Sequence, residues 1–546
     1  MDYKKLSDIL FPDITKPISY YEKTLFPDRN LDIGSKVTRL APSPTGFIHL
    51  GNLYGAFVDE RLARQSNGVF ILRIEDTDEK RKVEGSVETI ITSLEFFGLK
   101  FDEGASIDGE TGNYGPYFQS ARGEIYQSFV KHLIEMGRAY PCFCSEEKLA
   151  KIRAQQIAEN TNTGYYGKWA ADRDLSIEDV QRHLDNKDSF VIRFKSMGKD
   201  EESFKIEDAI RGTLSSPVNF QDIVILKTNG IPTYHFAHVV DDHLMKVTHV
   251  VRGEEWLSTL PIHYELFKTF DWNLPIYCHT AHLMKMDNGI KRKLSKRQDP
   301  ELGLGYYMEL GYHPKAIREY LMTILNSNFE EWRMENPDNS INDFKFTLSK
   351  MGKSGALFDL NKLNDISKNV LVKIPPEIIY DFLLKWAKDY KREVVTPLKE
   401  HKDAIVRLLA VGRDSKKPRK DLIYCKQIFD FISYYFDDYF RIENKYPDNI
   451  DTGEAKKLLS EYLQTYNHSD DPGDWFSKIR TIAEENGYAA KPKDFRKNPQ
   501  MYKGHVGDVS TVIRIAIMGR SISPDIWELQ QIMGEKKIRR RIQNLI

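Results

Sequence analysis

A strand–turn–helix–strand pattern between residues 37 and 78 limits the fold more than any other feature. Val37-Thr-Arg-Leu-Ala41 is β-prone, Pro42-Ser-Pro-Thr-Gly46 is loop-forming, and Leu50, Leu53, Phe57 and Leu62 then recur at helical spacing. Asn67-Gly68 closes that helix, and Val69-Phe-Ile-Leu-Arg-Ile74 is an apolar run suited to a buried strand. Such crossovers are almost always right-handed and join parallel strands, and open parallel sheets bind ligands beyond the carboxyl ends of their strands. The loop at 42–48 and the acidic cluster Glu75-Asp76-Thr77-Asp78 are therefore expected on one rim.

The rest of the chain reads as several units, in keeping with 546 residues. Residues 1–36, with two Leu-Phe-Pro-Asp copies, form an arm, irregular or a pair of short helices. Residues 37–115 form the first half of a doubly wound, Rossmann-like domain, and mixed helix and strand over 116–230 reads as an insertion. A β-like run from Ile231 to Val240 opens the second half, 231–297. Beyond that, amphipathic patterns such as Ala404 to Val411 and Leu422 to Tyr435 predict helical bundles, divided at 298–373 and 374–546. The fold class is thus α/β and multidomain.

Composition narrows the setting. No apolar run reaches the roughly 18 residues of a membrane span. Four cysteines are too few for a disulfide scaffold, and the polar opening Met1-Asp-Tyr-Lys-Lys5 lacks a signal-peptide core, so the cytoplasm is expected. With 79 Lys+Arg against 80 Asp+Glu, any nucleic acid would have to be held by local basic patches. Lys416–Lys420 and Lys536–Arg541 are the candidates, each also readable as a solvated face. The aromatics from Phe429 to Phe440 fit core packing better than base stacking.

Two segments carry chemistry. In Pro42-Ser-Pro-Thr-Gly-Phe-Ile-His-Leu-Gly-Asn52, His49 and backbone amides sit at a helix start, where unpaired N–H groups and the helix dipole favour phosphate. Lys293-Leu-Ser-Lys-Arg297, after Asn288-Gly-Ile-Lys-Arg292, offers four or more cations on a Gly-containing loop that can close over a triphosphate, although alone it also reads as a solvated basic loop. Together they resemble the HIGH and KMSKS signatures of class I aminoacyl-tRNA synthetases. Within that class, Thr38–Gly46, Arg73-Ile-Glu-Asp-Thr-Asp78, Tyr234–His243, Val250–Trp256, Phe358–Leu363 and Arg514–Gly519 resemble glutamyl-tRNA synthetases, and the helical second half resembles the bacterial type.

The resemblance implies a catalytic domain split by an acceptor-end-binding insertion, then helical stem-contact and anticodon-binding domains. It implies ATP- and Mg2+-dependent activation of L-glutamate and transfer to the 3′ end of tRNA(Glu) by a monomer, with tRNA needed before activation. His49, Lys293 and Lys296 would be catalytic, with ATP also held by Pro42, Ser43, Gly46, Gly51, Asn52, Glu255, Trp256, Leu294 and Ser295. Glutamate would meet Arg39, Ala41, Ser43, Glu75, Tyr234, His238 and Arg252. A dicarboxylic amino acid needs two cationic clamps and one anion, and either arginine can take the side-chain carboxylate. Arg39 could instead be a strand-end partner of Glu75, Trp256 a core aromatic, and His238 stands where relatives can have Asn. Some relatives bind zinc through a Cys-x-Cys like Cys142–Cys144 and a later Cys/His pair, but Tyr165–Ala171 offers neither, so no metal site is expected. A glutaminyl-tRNA synthetase, which usually carries C-terminal β-barrels, or a non-catalytic tRNA-binding relative are the alternatives.

Overall fold

The computed structural model describes every residue except Phe47, Lys82 and Lys296, and all but the side chain of Glu79. It divides into two compact units, residues 1–306 with 318–359, and residues 307–317 with 360–546.

The first unit begins with helix α1 (Tyr3–Leu10) and a π-helical turn, Tyr20–Leu25. Arg29 then anchors the arm, donating to both oxygens of Glu103 at 2.7 and 3.0 Å. The expected crossover follows as β1 (Val37–Leu40), α2 (Leu50–Gln65) and β2 (Val69–Leu72), with β1 and β2 paired in parallel, Val37 opposite Val69. Asn67 takes a left-handed conformation (φ 51°) just beyond the helix, as its place before Gly68 suggests. Helix α3 (Ser86–Phe96) leads to β3 (Glu103–Ser106), parallel to β2, and the hairpin strand β4 (Gly109–Thr111).

Residues 123–226 contribute α4 (Gly123–Glu135), β5 (Ala139–Cys142), α5 (Glu146–Ala158), α6 (Ile177–Asp185), β6 (Val191–Phe194), β7 (Ser203–Asp208), β8 (Gly212–Pro217) and β9 (Val224–Leu226). Strands β5, β6 and β9 form an antiparallel sheet, while the β7–β8 hairpin joins another. There, β10 (His249–Gly253) pairs in parallel with β11 (Ile276–Thr280), and β11 meets β7 at Tyr277 opposite Asp208. The Thr248 N–H donates to the Val37 carbonyl at 2.9 Å, so β10 lies beside β1. The strand order therefore runs outward from β1 in both directions, through β2 and β3 on one side and β10 and β11 on the other. That reversal is where doubly wound sheets open a crevice for ligands.

The run Ile231 to Val240, expected as a strand, is helix α7 (Tyr234–Leu244). Phe236, Ala237, Val239, Val240 and Leu244 are fully buried, as are His238 and Asp241, so the helix has no polar face and its periodicity is hidden. Helix α8 (Leu260–Thr269) follows β10, and the hairpin β12 (Leu283–Asp287) and β13 (Ile290–Lys293) turns at Asn288-Gly289, with β14 (Ala356–Leu357) alongside β12.

The second unit is helical, including Pro376–Tyr390, Lys402–Ala410, Cys425–Ile432, Thr452–Thr465, Val506–Met518 and Glu535–Gln543. Phe429 and Phe436 lie in its core with Ile432, Leu458, Val512 and Ile542, so this aromatic stretch packs inward. In the basic tail, Arg541 is buried and donates to the Ile517 carbonyl at 2.6 Å, whereas Lys536 and Arg540 are exposed. Lys416, Lys417 and Lys420 are also exposed.

Candidate active site

A cavity of about 760 Å³ opens at the carboxyl ends of β1, β2, β10 and β11, where the strand order reverses. The turn after β1 contributes Ala41, Pro42, Ser43 and Gly46, and the start of α2 contributes His49, Gly51 and Asn52. His49 caps that helix: its Nδ1 accepts from the Asn52 N–H at 3.3 Å, while the Asn52 side chain accepts from the His49 N–H at 3.1 Å. This reciprocal box fixes the imidazole at the cavity edge. A Cβ on Gly51 would stand 3.0 Å from the His49 ring, so the bare backbone there leaves the ring its place.

The floor is a buried charge cluster. Arg39, at the end of β1, donates from Nε to Asp242 Oδ1 at 3.0 Å, and Arg73 donates to the same oxygen at 2.7 Å. Arg73 also donates to Glu75 Oε1 at 3.1 Å. The alternative pairing of Arg39 with Glu75 is thus corrected: each has a different partner, because Asp242 projects from α7 between the two arginines. Burial pushes Asp242 upward, but Arg39 and Arg73 outweigh it and hold the carboxyl below its ordinary value. For Glu75 burial wins over Arg73 and Arg39, and its carboxyl is raised.

Arg252, at the end of β10, is equally buried but differently held. Its Nε donates to His279 Nε2 at 2.9 Å and its Nη1 to His263 Nδ1 at 3.0 Å. Nη2 has no hydrogen-bond partner among the described residues, and the guanidinium lies over the Tyr277 ring at 4.9 Å. Arg39 and Arg252 both line the cavity, with Glu75 and Tyr234. Trp256 packs on Tyr234, ring centres 4.6 Å apart, and is half-buried on the cavity wall rather than in the core. Glu255 is exposed and faces His282 at 3.4 Å.

Two expected residues stand off the cavity. His238 is fully buried behind Arg39, its Nδ1 3.3 Å from Asp242 Oδ2, and burial with the surrounding arginines keeps it neutral. Ser295 is half-buried, and its N–H donates to Asp299 at 2.9 Å. Lys293 and Leu294 line the wall, with Lys293 Nζ 3.3 Å from His282 Nε2, while Lys296 lies outside the described residues. Two cations of this loop already have partners within the protein. Arg292 donates to Asp299 at 2.6 and 2.8 Å and to Asp287 at 2.8 Å, and Lys291 to the Ser354 carbonyl at 3.0 Å. Asp299, which follows the basic run, sequesters part of it.

Reading the sequence missed Asp242, His263, His279 and Asp208. Asp242 lies within the quoted Tyr234–His243 run, so the missed signal was an adjacent acid pair, Asp241-Asp242, among apolar residues and histidines. No group of three or more metal-ligating side chains occurs among the described residues, and Cys142 and Cys144 are free thiols.

The family described as tRNA synthetases class I (E and Q), catalytic domain, matches residues 36–365. The chain belongs to this family. It is 77% identical over 546 residues to a glutamate–tRNA ligase of Acetivibrio thermocellus, all of both chains being covered. It is 46% identical to one of Clostridium perfringens, covering 99% of this chain and 100% of the relative. Among solved structures, a glutamate tRNA ligase from Elizabethkingia meningosepticum in complex with its amino acid is similar at a TM-score of 0.71 and 26% identity, with 94% of this chain and 99% of that one covered. As expected of a class I (E and Q) synthetase, the first unit is built on a Rossmann-like sheet, and the helical half follows it.

Proposed function

We propose that the chain is a glutamate–tRNA ligase that activates L-glutamate with MgATP and transfers it to tRNA(Glu). The observation that carries this reading is the pair of guanidinium groups, Arg39 and Arg252, facing one cavity beside the Glu75 carboxylate. A zwitterionic amino acid with an acidic side chain presents two carboxylates and one ammonium, and this set complements it charge for charge. Glu75, helped by Ser43, receives the ammonium. Arg39 is already matched by Asp242, whereas no carboxylate contacts Arg252 among the described residues, so Arg252 takes the side-chain carboxylate. Tyr234 closes the same subsite, and His238 acts by supporting Arg39.

The loop after β1, the α2 N-terminus and Lys293 would hold ATP, and Mg2+ bound to its triphosphate would offset the phosphate charge. The glutamate α-carboxylate attacks the α-phosphorus, a P–O bond forms, and pyrophosphate leaves. The terminal adenosine hydroxyl of tRNA then attacks the acyl carbon and AMP departs. No protein nucleophile is needed. His49, Lys293 and Lys296 stabilise developing charge, each contributing about 3 kcal/mol as pre-organised donors do. Exposed cations at 416–420 and 536–540 are suited to RNA phosphates. Four free thiols support a reducing cytoplasmic setting, and no described helix is long and apolar enough to cross a membrane.

The test is an aminoacylation assay with tRNA(Glu) and tRNA(Gln), each with glutamate and glutamine. Glutamate charging of tRNA(Glu) is expected; preferential charging with glutamine overturns the reading.

A further inference from the structure

The arrangement behind Arg252 raises a question that the clamp alone does not answer: a guanidinium buried to 8% exposure is held by neutral rings instead of an acid. Arg252 and His279 are Cα partners across the parallel β10–β11 ladder, which is why their side chains meet. Since a guanidinium only donates, His279 Nε2 must accept, and the ring proton must sit on Nδ1. Asp208, on the next strand, accepts a hydrogen bond from that Nδ1–H at 2.7 Å. The same Asp208 oxygen accepts from the His279 N–H at 3.0 Å, and the other from Ile210 and Arg211 N–H at 2.9 and 2.8 Å. The carboxylate is saturated and cannot turn.

The second chain follows the same logic. His263 Nδ1 accepts from Arg252, so its proton is on Nε2 and points to His235 Nδ1 at 3.2 Å. Burial lowers the pKa of all three rings, His235 to about 4, so they are neutral near pH 7. Carboxylate acceptors in these places would offset the guanidinium charge internally, as Asp242, shared with Arg73, does in part for Arg39, and less would remain for a ligand. Imidazoles fix direction without cancelling charge.

We infer that Asp208, acting through His279, and His235, acting through His263, are positioning residues that keep Arg252 aimed into the cavity and electrically unmatched, and so set the preference for a side-chain carboxylate over an amide. This rests on the functional reading above. In the Asp208→Asn variant the turn keeps an acceptor, but an amide N–H can face His279 and favour the tautomer whose Nε2 cannot accept from Arg252.

The experiment is tRNA-dependent ATP–pyrophosphate exchange with the full chain, using glutamate and glutamine separately. If the wild type does not prefer glutamate, the functional reading itself fails. If it does, Asp208→Asn is expected to raise KM for glutamate about tenfold, equivalent to about 1.4 kcal/mol, with kcat and KM for ATP nearly unchanged. The glutamate-to-glutamine ratio falls with it. In a His279→Gln background, where an amide oxygen accepts from Arg252 without a ring tautomer, the Asp208→Asn penalty should vanish. An unchanged ratio, an equal effect on ATP, or a penalty that persists in that background overturns the inference. Should Asp208→Asn not fold, 15N-histidine spectra of the wild type decide: Nδ1–H on His279 and Nε2–H on His263 are expected, and the opposite tautomer on either overturns it.

Discussion

Replacing Arg252 with Gln separates substrate binding from stability in a way that few active-site substitutions do. The guanidinium is buried and its partners are two imidazoles and the face of Tyr277, so its removal breaks no ion pair. A desolvated charge that lacks an internal partner costs folding free energy, and replacing buried ionic groups with neutral ones is often neutral or stabilising. The Gln amide can still donate to one histidine. The melting temperature is therefore expected to equal or exceed that of the wild type. Glutamate, however, loses its buried charge partner. Truncating one member of such a pair costs about 2–5 kcal/mol, and the low exposure here favours about 4, or about a thousandfold in kcat/KM. Glutamine activation should fall far less. Arg39→Gln is the control: it strips a partner from Asp242 and should lower the melting temperature as well as activity. Pyrophosphate exchange with both amino acids, read beside thermal melts, tests this. If Arg252→Gln keeps glutamate kcat/KM within about tenfold, or melts clearly below Arg39→Gln, the charge argument is wrong.

Other outcomes follow from neighbouring features. Asp242→Asn should destabilise the first unit by about 3–5 kcal/mol in urea titrations, because two buried guanidiniums share that carboxylate. As its pKa is lowered by folding, its contribution is present at neutral pH and disappears as pH falls below the ordinary carboxylate range, so the variant should show a flatter acid limb. Gly51→Ala should leave or raise helix stability yet lower kcat about tenfold with little change in KM for glutamate, since the new methyl displaces the His49 ring. Lys293→Ala should reduce the rate of adenylate formation by about 10²–10³ in single-turnover assays, with glutamate KM spared.

The parts of the fold that could be read from sequence were local. The crossover at 37–72 shows alternating element types, a Pro/Gly-rich turn and a helix stop, all within one short window. Helix α7 did not, because burial on every side erased the polar stripe that distinguishes a helix from a strand. The same division holds at the cavity. His49 and Lys293 sit in motifs that announce a phosphate-binding edge, so their convergence could be expected. What holds the arginines could not: Arg39 meets Asp242 across 203 residues, and Arg252 meets His279 across 27, through strand pairing. The pairing inside the basic loop was hidden for a related reason. Arg292 looks free in a pentad of cations until the chain folds Asp299 back on to it.

Because Arg252 and His279 face each other through the register of β10 and β11, the specificity of this pocket is also a report on strand alignment. A shift of one rung would put Cys278 or Thr280 opposite the arginine and turn its side chain's ring partner to the other surface of the sheet. Chains that collapse with the right helices but a slipped ladder would be inert toward glutamate, so recovery of amino-acid discrimination after unfolding measures correct strand threading more stringently than the return of helical signal.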